Sequence, residues 1–347
     1  KLAPERHFGR FALYVAFFPQ LVAGPIERAT HLLPQFHQPM TFNQTRIASG
    51  LRLLLWGMFK KVVIADRLAL YVNQVYEHPG DHGALTLLIA SYFFAFQIYC
   101  DFSGYSDIAI GAARVMGFDL MENFRQPYMA RSIAGFWRRW HISLSTWFRD
   151  YLYIPLGGNR VARWRWYSNL FLVFLVSGLW HGAAWHFVIW GALHGLLVVL
   201  EVALSGATLW GARRMGRQAP WRLPPIVSIF ATFHLVLFTW IFFRANTLAD
   251  ATWIIGRLFS LAGDNSWAAI YAPWVAAGVD PVWEMSLAVT LIVLLEVIQW
   301  LERWGQNMER TFVTYSRPIR WAVYLFLAIA TMNLGMSLDT PFIYFQF

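Results

Sequence analysis

The chain has 347 residues, of which 58% are hydrophobic, 18% aromatic and only 14% charged, and its formal net charge is +9. A soluble domain carries about a quarter charged residues, so this composition, with a mean hydropathy of +0.43 and 19 Trp, excludes an ordinary soluble core and points to a polytopic membrane protein. The basic excess reads as cytoplasmic loops before it reads as nucleic-acid binding, and a single cysteine, Cys100, excludes an internal disulfide and a Cys-rich zinc site.

The sequence opens at Lys1 with neither Met nor a signal-peptide pattern, and is expected to be a piece that lacks upstream helices; its last residues, PFIYFQF, resemble a natural end. Residues 8–23 are apolar but broken by Pro19, and form either a short span or a re-entrant piece. Three prolines, Pro25, Pro34 and Pro39, make 25–40 a loop or a short interfacial helix. Helical periodicity over 46–76 carries Arg52, Lys60, Lys61, Asp66 and Arg67. That pattern predicts either a helix lying partly at the interface or a tilted span with snorkelling lysines. A polar turn at 77–82 leads into a clean span over 83–100 and a polar helix over 101–117. Residues 124–158 are dense in Arg and Trp, with one helix expected over 132–151. After a basic loop at 159–165, the stretch 166–201 is almost uncharged and holds His181, His186 and His194. Spans are also expected over 225–243, 285–301 and 321–336, separated by a basic loop at 213–222, a long acidic connector at 246–284 and a net basic segment at 303–320.

The basic loops go to the cytoplasm by the positive-inside rule, and 77–82 and 246–284 go outside. Stretch 166–201 must then cross and return within 36 residues, slightly short for two spans of about 20 residues each. The expected break is at Ser177-Gly178 or at Gly182. This places His181 near the turn of a short hairpin, roughly 20 Å from the cytoplasmic face. Irregular backbone at that depth is tolerated inside protein or beside water, so a solvated pocket lined by His181 is expected.

No G-x-S-x-G, H-E-x-x-H or Walker A signature is present, and no metal site is expected. An intramembrane histidine is either hydrogen-bonded between helices or a proton-transfer group; for His186 and His194 the bland reading is preferred. On the helix expected over 132–151, Arg138, His141 and Ser145 share a face. The arginines there suit either an interfacial helix or a grip on phosphates. Asp101 and Asp107 are expected to pair with Arg125, Arg131 or Arg149, and Cys100 to be a packing residue.

Three stretches, CDFSGYSDIAIGAARVMGFDLMENFRQPY, FWRRWHISLSTWFRDYLYIPLGGNR and FLVSGLWHGAAWHFVIWGALHG, resemble the core of the membrane-bound O-acyltransferase family. Within it they are similar to the bacterial branch of the alginate O-acetylation membrane subunit and the teichoic acid D-alanyl transferase. PQLVAGPIERA and the terminal FIYFQF fit the same branch, so the likeness runs from Pro19 to Phe347. The resemblance implies transfer of an acyl group from a cytoplasmic thioester to a hydroxyl, with the acceptor or its relay protein outside. By its motifs the catalytic histidine is His181 and the second functional one is His141.

The expected fold is all-α: one polytopic membrane domain over 1–347, with short re-entrant or interfacial helices around a central funnel or tunnel. The expected reaction uses acetyl-CoA or another acyl thioester as donor substrate, with no bound cofactor. Arg131, Arg138, Arg139 and Arg149 are expected to hold the donor, and Ser145, Ser177, Trp180, Trp185, Asp101 and Asp107 to line the pocket. Expected partners are membrane lipid and periplasmic acetyl-relay proteins or a polysaccharide acceptor, not nucleic acid; the expected location is the bacterial inner membrane. D-alanyl transfer from a phosphopantetheine carrier protein, and a non-enzymatic polysaccharide transporter, are the alternatives; the second usually shows two repeated halves, and no internal repeat is visible.

Overall fold

In lipid a chain can satisfy its backbone only within helices or a closed barrel. The computed structural model describes residues 4–214, 223–303, 312, 314–336 and 342, without the side chains of 209–214 and 303, and among these residues there are helices and turns but no strand. Among the described residues, four helical segments are long and apolar enough to cross a membrane: Ala84–Met116, Trp185–Thr208, Pro225–Arg244 and Pro281–Glu302. The chain packs as two compact units.

The first unit comprises Lys1–Leu70, Phe96–Phe124 and Val279–Gln346. Residues 8–23 do not span: they form α1 (Phe8–Val15) and α2 (Phe18–Leu21). Pro19 sits in the first turn of α2, where its missing N–H costs nothing. The proline-rich stretch holds the short α3 (Ala29–Leu32) and a 3₁₀ turn, Leu33–His37. Helix α4 (Gln44–Met58), capped by the Asn43 side chain on the Arg46 N–H, runs through a π-helical turn, Phe59–Ala65, into α5 (Asp66–Glu77).

Pairing within protein, and not snorkelling, accounts for the charges on this segment. Lys60, Asp66 and Arg67 are buried in protein. Lys60 Nζ lies 2.7 Å from an Asp107 carboxylate oxygen and donates to Ser103 Oγ at 2.8 Å. Lys61 Nζ lies between Asp101, at 2.5 Å, and Asp66, at 2.8 Å. Arg67 pairs with Glu284 and donates to the Leu334 carbonyl. The cations that meet Asp101 and Asp107 are thus lysines, not the expected Arg125, Arg131 or Arg149. Because those carboxylates are neutralised on its flank, α6 (Ala84–Met116) runs unbroken for 33 residues through the expected change at Cys100, which is a buried packing residue.

The second unit comprises Tyr71–Ala95 and Arg125–Gly278, together with Phe347, which lies outside the described residues. Here the single helix expected over 132–151 is interrupted. It becomes α7 (Ile133–Trp137), α8 (Ile142–Phe148) and a π-helical turn, Arg149–Tyr153. Stretch 166–201 is two helices, α9 (Arg163–His181) and α10 (Trp185–Arg214), of 19 and 30 residues. The hairpin is longer than expected because its helices run on into the basic flanks on both sides. At about 1.5 Å per residue α9 alone is nearly the length of the bilayer core. Its break comes at Gly182, and Ser177-Gly178 remains helical.

Where α9 and α10 cross, Gly178 faces Gly191: a Cβ on Gly191 would lie 2.4 Å from the Phe174 carbonyl oxygen and 3.0 Å from Gly178 Cα. Small residues at such a crossing let two backbones touch, which is what holds helices together where lipid removes the hydrophobic drive. Helix α11 (Pro225–Arg244) follows residues 215–222, which carry most of the basic loop expected there and lie outside the described residues. The acidic connector is not a loop: it holds α12 (Leu248–Ser260), started by a Thr247/Asp250 capping box, and α13 (Trp267–Ala276). In the first unit α14 (Pro281–Arg303) contains the expected span 285–301, while α15 (Arg317–Leu334) covers 321–334 of the expected 321–336 and is not among the segments long and apolar enough to cross. Much of the basic segment between them, and most of the terminal PFIYFQF, lie outside the described residues.

Candidate active site

Two helix breaks in the second unit carry the site. His181 is the last residue of α9, and Gly182 beyond it is extended. His141 stands between α7 and α8 with left-handed backbone (φ 43°, ψ 55°), and its carbonyl accepts the Ser145 N–H at 2.9 Å. A non-glycine residue in that region is uncommon and holds only where its surroundings over-determine it. His141 is buried. The αL turn also dissolves the expected i, i+3, i+7 face of Arg138, His141 and Ser145, because these residues do not share one helix.

The two imidazoles share a neighbour in Trp180. Burial, and after it the charge of His181, hold His141 well below the usual imidazole range, so His141 is neutral. Trp180 joins them: its ring centroid is 4.9 Å from His181, edge-on, and 6.4 Å from His141. Trp180 is 50% exposed. Trp190, at 5.1 Å, and Phe243, at 5.2 Å, complete an aromatic wall on His181, both edge-on. Edge-on packing fixes a ring's tilt as well as its position.

The other expected site residues divide. Ser177 is buried on α9 one turn before His181. Ser145 is on α8, its hydroxyl donating to the Trp140 carbonyl at 3.3 Å. Trp185, at the start of α10, is 74% exposed. Asp101 and Asp107 belong to the first unit and its lysine pairs. Arg131, Arg138 and Arg139 do come together, with Arg125 as a fourth member. Burial first, then the charges of Arg125, Arg138 and Arg131, hold Arg139 below the usual guanidinium range. The Arg125 N–H bonds the Arg139 carbonyl at 2.9 Å, a link that spacing does not reveal. Arg149 is instead engaged with the adjacent Asp150 at 2.8 Å.

Two histidines of the hairpin have structural partners, as the bland reading had it. His186 Nδ1 lies 3.1 Å from the Phe242 carbonyl. His194 is enclosed, with Trp137 and Thr239 on its two ring nitrogens. Sequence reasoning missed Trp190, Phe243 and Thr239, for which only the apolar periodicity of α10 and α11 offered a signal. A groove of ≈ 620 Å³ between α9 and α10 is lined by Arg163, Trp166, Tyr167 and Glu201. It opens at the end of α9 opposite His181.

Fold and site together define a multi-pass helical membrane protein in which two imidazoles stand at two helix breaks around one indole, Trp180. The sequence model of MBOAT, the membrane-bound O-acyltransferase family, matches residues 6–245. A peptidoglycan O-acetyltransferase of Helicobacter pylori is 42% identical over 259 residues, 74% of this chain and 48% of the relative. A probable alginate O-acetylase AlgI of Pseudomonas putida is 38% identical over 357 residues, 97% of this chain and 68% of the relative. A teichoic acid D-alanyltransferase of Bacillus subtilis is 28% identical over 251 residues, 68% of this chain and 61% of the relative. The chain belongs to the membrane-bound O-acyltransferase family, and it spans between about half and two thirds of the length of these relatives.

Proposed function

We propose that the protein is an O-acyltransferase of the bacterial inner membrane. It moves an acyl group, acetyl in the first instance, from a cytoplasmic thioester to a hydroxyl of an exported polysaccharide or of a relay protein that serves one. The observation that carries this reading is the pair of imidazoles at the two helix breaks, with half-exposed Trp180 between them. Neutral imidazole is the side chain best matched to take a proton from a hydroxyl near neutral pH.

In this reading His181 is the general base. It takes the acceptor's hydroxyl proton as the oxygen attacks the thioester carbonyl carbon. The tetrahedral oxyanion collapses, the C–S bond breaks, and the departing thiolate takes the proton back from His181, leaving an ester and a free thiol. Backbone and indole N–H groups around the imidazoles serve the oxyanion. His141, held neutral, orients or polarises one reactant. The Arg125, Arg131, Arg138 and Arg139 cluster suits the phosphates of acetyl-CoA, which planar guanidinium groups bind bidentately. Acetyl is preferred to D-alanyl because the acetylating relatives are the more similar, at 42% and 38% identity against 28%. A periplasmic relay and a polysaccharide acceptor are the partners that fit this chemistry.

Transfer of labelled acetyl from acetyl-CoA in vesicles tests the reading. A positioned base contributes typically 10²–10⁴-fold, so His181→Ala should lose about that factor. Near-normal turnover by the folded variant would sink the assignment.

A further inference from the structure

His194 touches neither break, yet it is 0% exposed and fully hydrogen-bonded. The Trp137 indole donates to its Nδ1 at 3.2 Å, and its Nε2 lies 2.9 Å from Thr239 Oγ1. An indole N–H can only donate. Nδ1 must therefore carry the lone pair and Nε2 the proton, which goes to Thr239 Oγ1. The Thr239 hydroxyl in turn donates to the Val236 carbonyl at 2.7 Å. Every proton in this chain has one place, so His194 is a neutral imidazole in a single tautomer.

This chain of bonds crosses three helices. Trp137 ends α7, Thr239 is on α11, and His194 is on α10. Each leads to a site histidine. Beyond Trp137 the backbone turns through three residues into the left-handed His141. Trp190, one helical turn before His194, has its ring centroid 5.0 Å from His194 and 5.1 Å from His181. Phe136 stacks parallel to the His194 ring, with centroids 6.4 Å apart. A displacement of His194 therefore moves the mounts of both imidazoles.

We propose that His194 is a positioning residue: by clamping α7 and α11 to α10 through Trp137 and Thr239, it sets the placement of His141 relative to His181. The functional part of this proposal rests on the acyl-transfer reading of the site. A polar clamp suits the role better than apolar packing, because hydrogen bonds at both ring nitrogens fix rotation as well as distance.

The test uses the whole chain in vesicles, with acetyl-CoA as donor. Trp137→Phe keeps the ring and removes the donor; Thr239→Val keeps the shape and removes the acceptor; Thr239→Ser keeps the hydroxyl. Per folded molecule, Trp137→Phe, Thr239→Val and His194→Phe are expected to lower kcat between about 10- and 100-fold, the scale of an ångström-level misplacement. KM for the donor is expected to stay put, and Thr239→Ser to retain turnover. Loss of folded protein at unchanged kcat per folded molecule overturns the proposal, since it leaves His194 a stabilising residue alone. A second readout is independent of activity. In ¹⁵N-imidazole spectra the wild-type His194 should show only the Nε2–H tautomer, and the His141 and His181 resonances should shift in Trp137→Phe and Thr239→Val. Unmoved His141 and His181 resonances overturn the proposal. Wild-type protein that transfers no acyl group defeats the functional reading instead, and the spectra still decide the positioning.

Discussion

The crossing of α9 and α10 gives a sharp prediction, because the histidine that the reaction needs is carried at the end of one of these helices. In Gly191→Ala the new Cβ would stand 2.4 Å from the Phe174 carbonyl oxygen and 3.0 Å from Gly178 N and Cα. All three are backbone atoms, so no rotamer change relieves the clash, and the helices must part by about 1 Å, an overpacking that typically costs about 1–3 kcal/mol. Phe174 and Gly178 lie two turns and one turn before His181 on α9. Their displacement is passed to the imidazole, and a 1 Å misplacement at a reacting centre can cost about 100-fold in rate. Gly206 on the same helix is the control, since a Cβ there meets nothing within 4 Å. Alanine at that exposed position should be neutral or stabilising by up to about 1 kcal/mol. Thermal unfolding in detergent and acetyl transfer in vesicles measure the two effects. If Gly191→Ala melts and turns over like Gly206→Ala, the close crossing does not set the position of His181 and the reasoning fails.

Three other outcomes are expected. Lys61→Met leaves two buried carboxylates, Asp66 and Asp101, without their lysine. Removing one partner of a buried pair costs about 3–5 kcal/mol, and adding Asp101→Asn should recover part of that in denaturation curves. Arg139→Gln removes one guanidinium from a cluster that repels itself in the absence of an anion. KM for acetyl-CoA should rise about 10-fold, the scale of one charge-assisted hydrogen bond, and the salt dependence of KM should shrink. His141 is held below its ordinary value by burial. Above about pH 6.5 the folded and unfolded chains are alike at this group, whereas below it the unfolded chain takes up a proton that the folded site refuses. Stability therefore falls as pH drops through that value, and His141→Gln should lose less stability than wild type in unfolding measured from about pH 7 down to pH 5.

Local chemistry made much of the fold legible. Composition and apolar run length identified the membrane class, because lipid demands long uncharged helices. Gly182, one of the two expected breaks, ends α9, while Ser177-Gly178, the other, stays helical. The Thr247/Asp250 pair has the pattern of a helix start, and two helices lie within 246–284, where acidic content alone suggests a loop. The helix expected over 132–151 failed at His141, because spacing carries no sign of a positive φ at a histidine. Hydropathy alone makes the hairpin too short, because helix ends at a membrane surface accept arginine and α9 begins at Arg163.

What the sequence determined by itself is therefore of two kinds: the helical membrane class, which follows from hydropathy, and the family, whose motifs are contiguous. The tertiary structure alone decided who partners whom. Lys61 meets Asp101 forty positions along the chain, His194 finds Trp137 and Thr239 on two other helices, and Arg125 joins the basic cluster through the Arg139 carbonyl. The physical reason is that periodicity records which face of a helix is apolar, but not which helix covers that face. A buried polar group must be satisfied by whatever the crossing brings within about 3 Å. At the two histidine breaks those crossings, and not the local sequence, bring both imidazoles to Trp180.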